Sequence, residues 1–178
     1  MRIIAGIYGG RRLQTPADDS VRPTTDKVKE ALFSSLQFEL QNARVLDLFA
    51  GSGQLGIEAL SRGAQSAVFV DKSRQSAALA KQNLALCGIE APVLCMDSLE
   101  YLKQCEERFD IAFLDPPYGT GLLQQALALV GNVMGESGVI VAECPVAEET
   151  PEVLPAGFRK AKTKKYGTMR LNYYRKEK

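Results

Sequence analysis

The residues best suited to chemistry lie in one short stretch, FLDPPYGTG, which covers residues 113–121. Asp115 ends an apolar run, and Pro116 and Pro117 follow it, each with φ held near about −65° and without an amide hydrogen. Each proline also keeps the residue before it extended. The stretch is therefore predicted to be a stiff turn that presents a carboxylate, free carbonyl oxygens and the ring of Tyr118. Packing alone gives no reason for such a turn, so these residues are candidates for a functional site.

A glycine-rich loop forms the second candidate site. In the segment DLFAGSGQLG, Gly51, Gly53 and Gly56 match the pattern G-x-G-x-x-G between a predicted strand and a predicted helix. Glycines allow a tight turn and a close approach of a ligand to the backbone. Asp71 ends the next predicted strand, 18 residues after Gly53, where a carboxylate can accept hydrogen bonds from ribose hydroxyls. This arrangement indicates a nucleotide-like cofactor.

Two further acids indicate which cofactor it is. Asp47 precedes the glycines, where a carboxylate would repel a pyrophosphate but would suit the α-ammonium of a methionyl group, directly or through water. Asp97 follows the third predicted strand, where it can accept from an adenine amine while the Ser98 amide serves a ring nitrogen. The three acids favour a ligand with an amine, a ribose, an adenine and no phosphate, and S-adenosylmethionine fits that description. NAD fits poorly, because Asp47 would repel a pyrophosphate and the chain has no histidine and no evident catalytic Tyr-x-x-x-Lys motif.

Elements alternate along the chain from Arg44 onward in a way that predicts an α/β fold. Five short apolar runs are separated by helical patterns, which is typical of βαβ units and a parallel sheet. After Pro155 two strands without a helix between them, broken at Gly167, predict a hairpin. We therefore expect a Rossmann-like, mostly parallel seven-stranded sheet that ends in an antiparallel hairpin. The apolar runs are RVLDLF (44–49), AVFV (67–70), PVLC (92–95), IAFL (111–114) and VIVA (139–142).

The first 40 residues differ from the rest and read as an extension of the same domain. RIIAG and RRLQT around IYGG suggest a small hairpin, and RPTTDKVKEALFSSL predicts a helix capped by Thr24 or Thr25. The apolar stripe of this helix comprises Val28, Ala31, Leu32 and Leu36, with Lys27, Lys29 and Glu30 facing outward. The whole chain, residues 1–178, is thus expected to be one domain with its core in 41–178.

Composition excludes several classes of protein. The chain has no histidine, so catalytic triads and metal sites that need histidine are excluded, and no metal is expected. The four cysteines form no C-x-x-C pair and read as reduced core thiols. No apolar run approaches the roughly 20 residues that span a bilayer, and the first residues lack the apolar centre of a signal peptide. A cytoplasmic protein is expected, and one domain without an exposed apolar helix favours a monomer.

Charge is distributed unevenly. The net charge is +1, but residues 159–178 contain nine Lys or Arg and one acid, whereas residues 31–158 contain seven Lys or Arg and sixteen acids. An acidic body with a basic tail is compatible with an anionic polymer as partner. A solvated, solubilising tail is an equally good interpretation of the charge alone.

The motifs resemble those of a known family. DLFAGSGQLGIEALSRGA, VFVDKS, MDSLEYL and FDIAFLDPPYGTG are similar, in order and spacing, to the motifs of class I S-adenosylmethionine-dependent methyltransferases. DPPY resembles the catalytic motif of the amino-methyltransferases that act on nucleic-acid bases. The opening RIIAGIYGGRRLQTP…RPTTDKVKEALFSSL and the ending KKYGTMRLNYY resemble the bacterial small-subunit ribosomal RNA guanine-N2 methyltransferases of the RsmD type. The resemblance covers nearly the whole chain.

The resemblance implies methylation of the exocyclic N2 amine of a guanine in 16S rRNA, free or in a small-subunit assembly intermediate. Asp115 and the Pro116 carbonyl would accept the two N–H bonds of the amine, and Tyr118 would stack on the extruded base. Asp115, Pro116, Pro117 and Tyr118 are thus the catalytic candidates. The candidates for cofactor contacts are Thr24, Asp47, Phe49, Gly51, Ser52, Gly53, Asp71, Lys72, Asp97 and Ser98.

Candidates for contacts with RNA come from the two basic regions of the chain. They are Arg2, Arg11, Arg12, Arg22, Lys164, Lys165 and Tyr166. The segment 22–25 has a second interpretation, as a cover over the cofactor. Rival interpretations of the chain are a DNA adenine-N6 methyltransferase, which the lack of a separate target-recognition domain disfavours, and a non-catalytic RNA-binding module, which the intact DPPY motif disfavours.

Overall fold

A seven-stranded sheet with helices on both faces organises the protein. The computed structural model describes residues 1–17 and 24–177. The strands are β1 Arg44–Asp47, β2 Ser66–Asp71, β3 Val93–Cys95, β4 Phe109–Leu114, β5 Met134–Pro145, β6 Phe158–Tyr166 and β7 Met169–Lys176. The α-helices are α1 Asp26–Ser35, α2 Gln54–Ser61, α3 Arg74–Cys87, α4 Ser98–Gln104 and α5 Leu122–Val130, with short 3₁₀ turns at Gly131–Val133 and Pro155–Gly157.

The strand order is β3-β2-β1-β4-β5-β7-β6. β3, β2, β1, β4 and β5 are parallel, whereas β7 is antiparallel to both β5 and β6. This confirms the predicted mostly parallel sheet with a terminal hairpin. From β1 the chain goes to β2 on one side and later returns to β4 on the other, so the order reverses between β1 and β4. Open parallel sheets bind ligands outside the carboxyl ends of the strands at such a point.

Alternation along the strands divides the core into two clusters. Val45, Phe113 and Val141 face α1, α2 and α3, whereas Leu46 and Leu114 face α4 and α5 on the opposite side. Because successive side chains of a strand point to opposite faces, burial on both faces requires the near-continuous apolar runs seen in the sequence. The five parallel strands are therefore fixed in place from both sides.

The extension at the amino terminus is fastened to the body by a buried carboxylate. Glu58, in α2, accepts hydrogen bonds from the amides of Ile4 (2.8 Å) and Ala5 (3.1 Å) and forms ion pairs with Lys29 (3.6 Å) and Arg62 (2.8 Å). The side chains of Lys29 and Glu58 are fully buried. The outward orientation predicted for Lys29 is therefore wrong, since a lysine can be buried where it has a charged partner.

Residues 1–13 fold back on themselves and lie against the ends of two helices. Arg2 and Arg12 form an antiparallel bridge, and the Ile7 amide donates to the Ser61 carbonyl at the end of α2. Gly6 has φ +86°, and a Cβ at this position would lie 1.9 Å from the Ser61 oxygen. Glycine is therefore needed here for both backbone conformation and space.

Helix α1 begins as predicted and lies over the same face of the sheet. Thr25 is its N-cap, and the Thr25 hydroxyl accepts from the amide of Val28. Phe33 packs against Phe113 of β4, and the Ser35 hydroxyl donates to that of Tyr173 in β7. At the other end of α1, the hydroxyl of Thr24 donates to Glu143 near the end of β5, so the amino terminus of the helix lies at the carboxyl edge of the sheet.

Candidate functional site

Five acids mark the carboxyl edge of the five parallel strands. Asp97 follows β3, Asp71 ends β2, Asp47 ends β1, Asp115 follows β4, and Glu143 lies near the end of β5. The last four continue the alternation of the apolar residues on the α1–α3 face, because each comes two residues after a residue of that core cluster. The sheet thus places four carboxylates on one face of one edge.

The glycine loop joins two of these acids. Gly51 (φ +54°) donates its amide to Asp71 Oδ2 at 2.9 Å, and Gly53 (φ +80°) is the N-cap of α2. The Gly56 amide donates to Asp47 Oδ2 at 2.9 Å. A Cβ on Gly56 would lie 2.3 Å from the Phe69 ring, so this glycine permits close packing of the helix on the strand. The first two glycines shape the loop and the third positions the helix.

Asp97 and its neighbour hold the start of the fourth helix. Asp97 Oδ1 accepts from the amides of Leu99 (2.9 Å) and Glu100 (3.0 Å). The Ser98 hydroxyl donates to the Leu48 carbonyl at 2.6 Å, so strand β1 and helix α4 meet at this serine. The second oxygen of Asp97 has no hydrogen-bond partner within the described part of the chain, which leaves it available to a donor in the adjacent cavity.

A cavity of about 930 Å³ lies along this edge. Most of the predicted site residues line it: Thr24, Phe49, Gly51, Ser52, Asp71, Lys72, Asp97, Ser98, Asp115, Pro116, Pro117 and Tyr118. Asp47 and Gly53 are not part of the lining. Asp47 is only 2% exposed, so it lies behind the wall formed by the glycine loop. The cavity is large enough for a ligand of cofactor size.

The turn that follows β4 forms one end of the cavity. Pro116 is buried, Pro117 is exposed, and Tyr118 is 47% exposed. The Thr120 hydroxyl donates to the Pro117 carbonyl at 2.7 Å, whereas the Pro116 carbonyl has no donor in the described residues. The turn therefore leaves a carbonyl oxygen beside Asp115 and an aromatic ring at the mouth of the cavity.

The electrostatics of this edge disfavour multiple negative charges. Burial raises the pKa of Asp47 to about 7, although the hydrogen bond from Gly56 acts against the shift. Burial also raises the pKa of Asp115, and the neighbouring carboxylates of Glu143 and Asp47 raise it further. A cationic ligand in the cavity would relieve this repulsion, since an opposite charge favours ionised carboxylates.

Two features of the site were missed in the sequence. Glu143 accepts from the Thr24 hydroxyl (3.2 Å) and the Tyr118 hydroxyl (3.4 Å), and it follows the predicted strand VIVA directly, as Asp115 follows IAFL. Residues 14–17 also line the cavity. Asn83, fully buried in α3, bonds both the amide and the carbonyl of Gln14 and also the Ser52 carbonyl. No local signal marks this contact, because its partners are far apart in sequence.

The basic residues near the amino terminus have mixed surroundings. Arg2 pairs with Asp26 at 2.9 Å, and Arg12 is exposed. Arg11 stacks on Tyr8 and donates to carbonyls in the last turn of α3, so it caps that helix. The cavity is lined by residues of α3 as far as Gln82, so the carbonyls that Arg11 contacts lie about one helical turn, roughly 6 Å, beyond it. Arg22 lies outside the described residues.

The basic residues of the C-terminal hairpin lie at the edge that holds the acids. In the sheet register, Glu143 of β5 is opposite Leu171 of β7, which is opposite Lys164 of β6. Two strand spacings, roughly 10 Å, therefore separate the backbones of Glu143 and Lys164. Lys165 and Tyr166 follow towards the turn at Gly167. This hairpin extends the site edge with positive charge.

Residues 1–17 and 24–177 contain neither a cluster of metal-ligating side chains nor a membrane-spanning helix. Within these ranges, no three acidic or cysteine side chains converge as ligands of a metal ion. No helix in the same ranges is both long and apolar enough to cross a membrane.

Comparison with known proteins places the chain in a family. A family model described as Conserved hypothetical protein 95 matches residues 1–175. A Haemophilus influenzae protein named Ribosomal RNA small subunit methyltransferase D is 37% identical over 98% of this chain and 93% of its own. The Escherichia coli protein of the same name is 36% identical over 99% of this chain and 90% of its own.

A solved structure agrees with the sequence comparison. The Escherichia coli protein yhhF has a TM-score of 0.89 and 35% identity, covering 99% of this chain and 98% of that chain. The likeness includes the amino-terminal extension and the terminal hairpin, because it covers nearly the whole of both chains. The resemblance stated from the sequence motifs is thereby confirmed, and the chain belongs to the Conserved hypothetical protein 95 family, together with proteins named Ribosomal RNA small subunit methyltransferase D.

Proposed function

We propose that this protein is an S-adenosylmethionine-dependent methyltransferase that modifies the exocyclic N2 amine of a guanine in 16S rRNA, at position 966 of that RNA. One observation carries the proposal: the DPPY turn and the glycine loop line the same cavity. A methyl donor held by the loop and an amine held by the turn would therefore be neighbours. The names of the relatives support ribosomal RNA of the small subunit as substrate.

The residues of the cavity fit the cofactor. Asp71 and Asp97 offer carboxylate oxygens to ribose hydroxyls and an adenine amine, and Asp47, behind the loop, offers a charge to the α-ammonium directly or through water. The glycine loop presents no cationic side chain to neutralise a pyrophosphate. When bound, S-adenosylmethionine supplies an electrophilic methyl group on a sulfonium. The positive charges of this ligand would also offset the crowding of acids at this edge.

The DPPY turn would activate the target amine. The lone pair of a guanine N2 amine is delocalised into the ring, so the nitrogen is a poor nucleophile. Asp115 and the Pro116 carbonyl would accept its two N–H bonds and return electron density to the nitrogen. This interaction strengthens as positive charge develops on the amine, which lowers the barrier. Tyr118 would stack on the extruded base, for about 1–3 kcal/mol. No strong base is needed, because the methylated ammonium loses its proton readily.

The basic hairpin would hold the RNA beside the cavity. Lys164, Lys165 and Tyr166 lie at the same edge as Glu143 and Asp115, in reach of the phosphates that flank an extruded nucleotide. Arg2 and Arg12 provide further charge at the amino terminus. The substrate would be the RNA itself or an assembly intermediate of the small subunit, and a cytoplasmic location follows from that substrate.

The test is methyl transfer from labelled cofactor to unmodified 16S rRNA, free and in small-subunit particles, followed by mapping of the modified nucleotide. Asp115→Ala should bind the cofactor as the wild type does and lose turnover by about 10- to 100-fold or more, because a charge-assisted hydrogen bond contributes roughly 1.5–3 kcal/mol. Glu106→Ala, at an exposed acid, is the matched control and should retain full activity.

Three results would contradict the proposal. Label on adenine-N6 of DNA would instead support the DNA methyltransferase. RNA binding and cofactor binding without transfer would support a non-catalytic module. Near-normal transfer by Asp115→Ala would remove the role proposed for the turn.

A further inference from the structure

Glu143 lies beside Asp115 on the neighbouring strand. Leu114 of β4 is opposite Ala142 of β5 in the register, so the next residues of the two parallel strands, Asp115 and Glu143, are adjacent. Their backbones are about 4.8 Å apart. Both side chains continue the α1–α3 face of the sheet, because Phe113 and Val141 belong to that core cluster. The second carboxylate therefore faces the same side as the proposed catalytic one.

Stability of the fold gives no reason for this carboxylate. Glu143 is only 7% exposed and forms no ion pair within residues 1–17 and 24–177. Within the described residues its hydrogen-bond donors are two neutral hydroxyl groups, and the acid Asp115 is adjacent to it on the neighbouring strand. Burial of a carboxylate without a cationic partner is unfavourable. Residues that break such rules in natural proteins are found mainly at functional sites.

The two donors are themselves residues of the cavity wall. Thr24 immediately precedes the N-cap of α1, and its hydroxyl donates to Glu143 Oε2 at 3.2 Å. Tyr118 belongs to the DPPY turn, and its hydroxyl donates to Oε1 at 3.4 Å. Both residues line the cavity. One carboxylate thus connects the start of α1 to the aromatic ring at the mouth of the site.

The ring of Tyr118 needs such a connection. It is 47% exposed, and within the described residues the bond to Glu143 is the one side-chain hydrogen bond that ties it to the sheet. The bond from the Thr120 hydroxyl to the Pro117 carbonyl lies within the turn and does not hold the ring. Without the carboxylate, the ring could rotate away from the position that a stacked base requires.

We propose that Glu143 is a positioning residue for methyl transfer, which orients the Tyr118 ring against the target base while the Thr24 hydroxyl anchors its other oxygen. This inference rests on the proposed function. Glu143 contributes nothing to the cofactor pocket directly, since it is absent from the cavity lining. Its removal should therefore affect the use of RNA and leave cofactor affinity unchanged.

A double-mutant cycle tests the connection. Tyr118→Phe keeps the ring and removes the hydroxyl, and Glu143→Ala removes the acceptor. Each should lower kcat/KM for RNA by about 10-fold, as expected for loss of orientation of a substrate contact. The double variant should lose about the same factor as either single variant, because both remove the same interaction. The dissociation constant of S-adenosylmethionine should stay within about twofold of the wild type.

A conservative variant separates positioning from charge. Glu143→Gln keeps the length of the side chain, and its amide can pair with both hydroxyl groups, so it should recover most of the activity that Glu143→Ala loses. An equal loss in both variants would overturn the inference, since the carboxylate would then act through its charge. A double variant whose kcat/KM falls by about 100-fold, the product of the two single losses, would also overturn the inference.

Two further controls keep the result interpretable. If Glu143→Ala fails to fold, Tyr118→Phe still decides the question, because its ring is half exposed: full activity there would overturn the inference. If the wild-type protein transfers no methyl group to guanine N2, the proposed function fails and this inference with it. If the wild type methylates guanine N2 but the two substitutions lower kcat/KM independently of each other, the inference about Glu143 fails and the proposed function stands.

Discussion

Asp47→Asn should remove a pH dependence of the free energy of unfolding in the ligand-free protein. Asp47 is 2% exposed and accepts one hydrogen bond, from the Gly56 amide. Burial raises its pKa from 3.8 to about 7. Asparagine has nearly the same shape, can accept the same hydrogen bond through its carbonyl oxygen, and does not titrate. The substitution therefore removes the buried charge and leaves the packing of the loop in place.

The size of the effect follows from the shift. A change of one pKa unit corresponds to about 1.4 kcal/mol, so a rise from 3.8 to about 7 corresponds to roughly 4 kcal/mol as an upper bound. The folded-state pKa is the higher one, so between these values the folded protein keeps a proton that the unfolded chain has lost. Stability from this group is greatest at low pH, falls as pH rises from about 4 to 7, and is constant above that range.

Urea denaturation at pH values from about 4.5 to 8.5 measures the effect. The free energy of unfolding of Asp47→Asn minus that of the wild type should increase with pH, by about 2–4 kcal/mol in total. Glu106→Gln, at an exposed acid, should show no such trend. If the difference between the two free energies of unfolding stays constant with pH, the reasoning is refuted, because Asp47 would then have the same pKa in the folded and unfolded states.

The same variant also tests the role of Asp47 in the site. If the carboxylate serves the α-ammonium of the cofactor, Asp47→Asn should bind S-adenosylmethionine about 10-fold or more weakly at pH 8, in spite of its greater stability. A gain of stability with loss of binding is common where function needs an unfavourable charge. Unchanged affinity would remove Asp47 from the cofactor contacts.

Three other predictions concern the extension and the RNA-binding edge. Gly6→Ala should lower the free energy of unfolding, measured by urea denaturation, by several kcal/mol more than Gly10→Ala. Both glycines have φ near +85°, but an added Cβ clashes with Ser61 only at Gly6. Equal losses of stability would refute this. Lys29→Met should lower the free energy of unfolding by about 3 kcal/mol, because Glu58 loses a buried partner. Lys27→Met, at an exposed position, should have little effect. RNA affinity of the wild type should fall steeply with salt, and replacement of both Lys164 and Lys165 by Gln should reduce the log–log slope by about 1.4 for single-stranded RNA; a flat response would argue for a small-molecule substrate.

Local signals in the sequence were sufficient for the parts of the site that are continuous in the chain. The backbone conformations of the glycine loop and the DPPY turn are set by residues within them, since glycines permit positive φ and prolines fix the φ angles next to Asp115. The apolar runs indicated strands, and their alternation with helical patterns indicated a parallel sheet. These two predictions also place the acids at one edge of the sheet, because parallel strands have their carboxyl ends on the same side.

Long-range contacts explain what the sequence left out. Helix periodicity alone places Lys29 outside the apolar stripe of α1 and therefore in solvent, whereas its burial depends on Glu58 from another helix. Glu143 follows an apolar run, but no local pattern predicts it as a site residue, because only the strand register places it beside Asp115. Residues 14–17 reach the cavity through Asn83, a contact without any local pattern.

Local sequence patterns are sufficient to predict the types of the elements, their order along the chain and the residues of the two functional turns. These properties depend on backbone angles and on the periodicity of neighbouring side chains, which act over a few residues. The order of the strands, the burial of Lys29 with Glu58 and the position of residues 14–17 at the cavity wall are visible only in the folded structure. These properties depend on pairing across many residues, where contact energies between distant segments outweigh local preference.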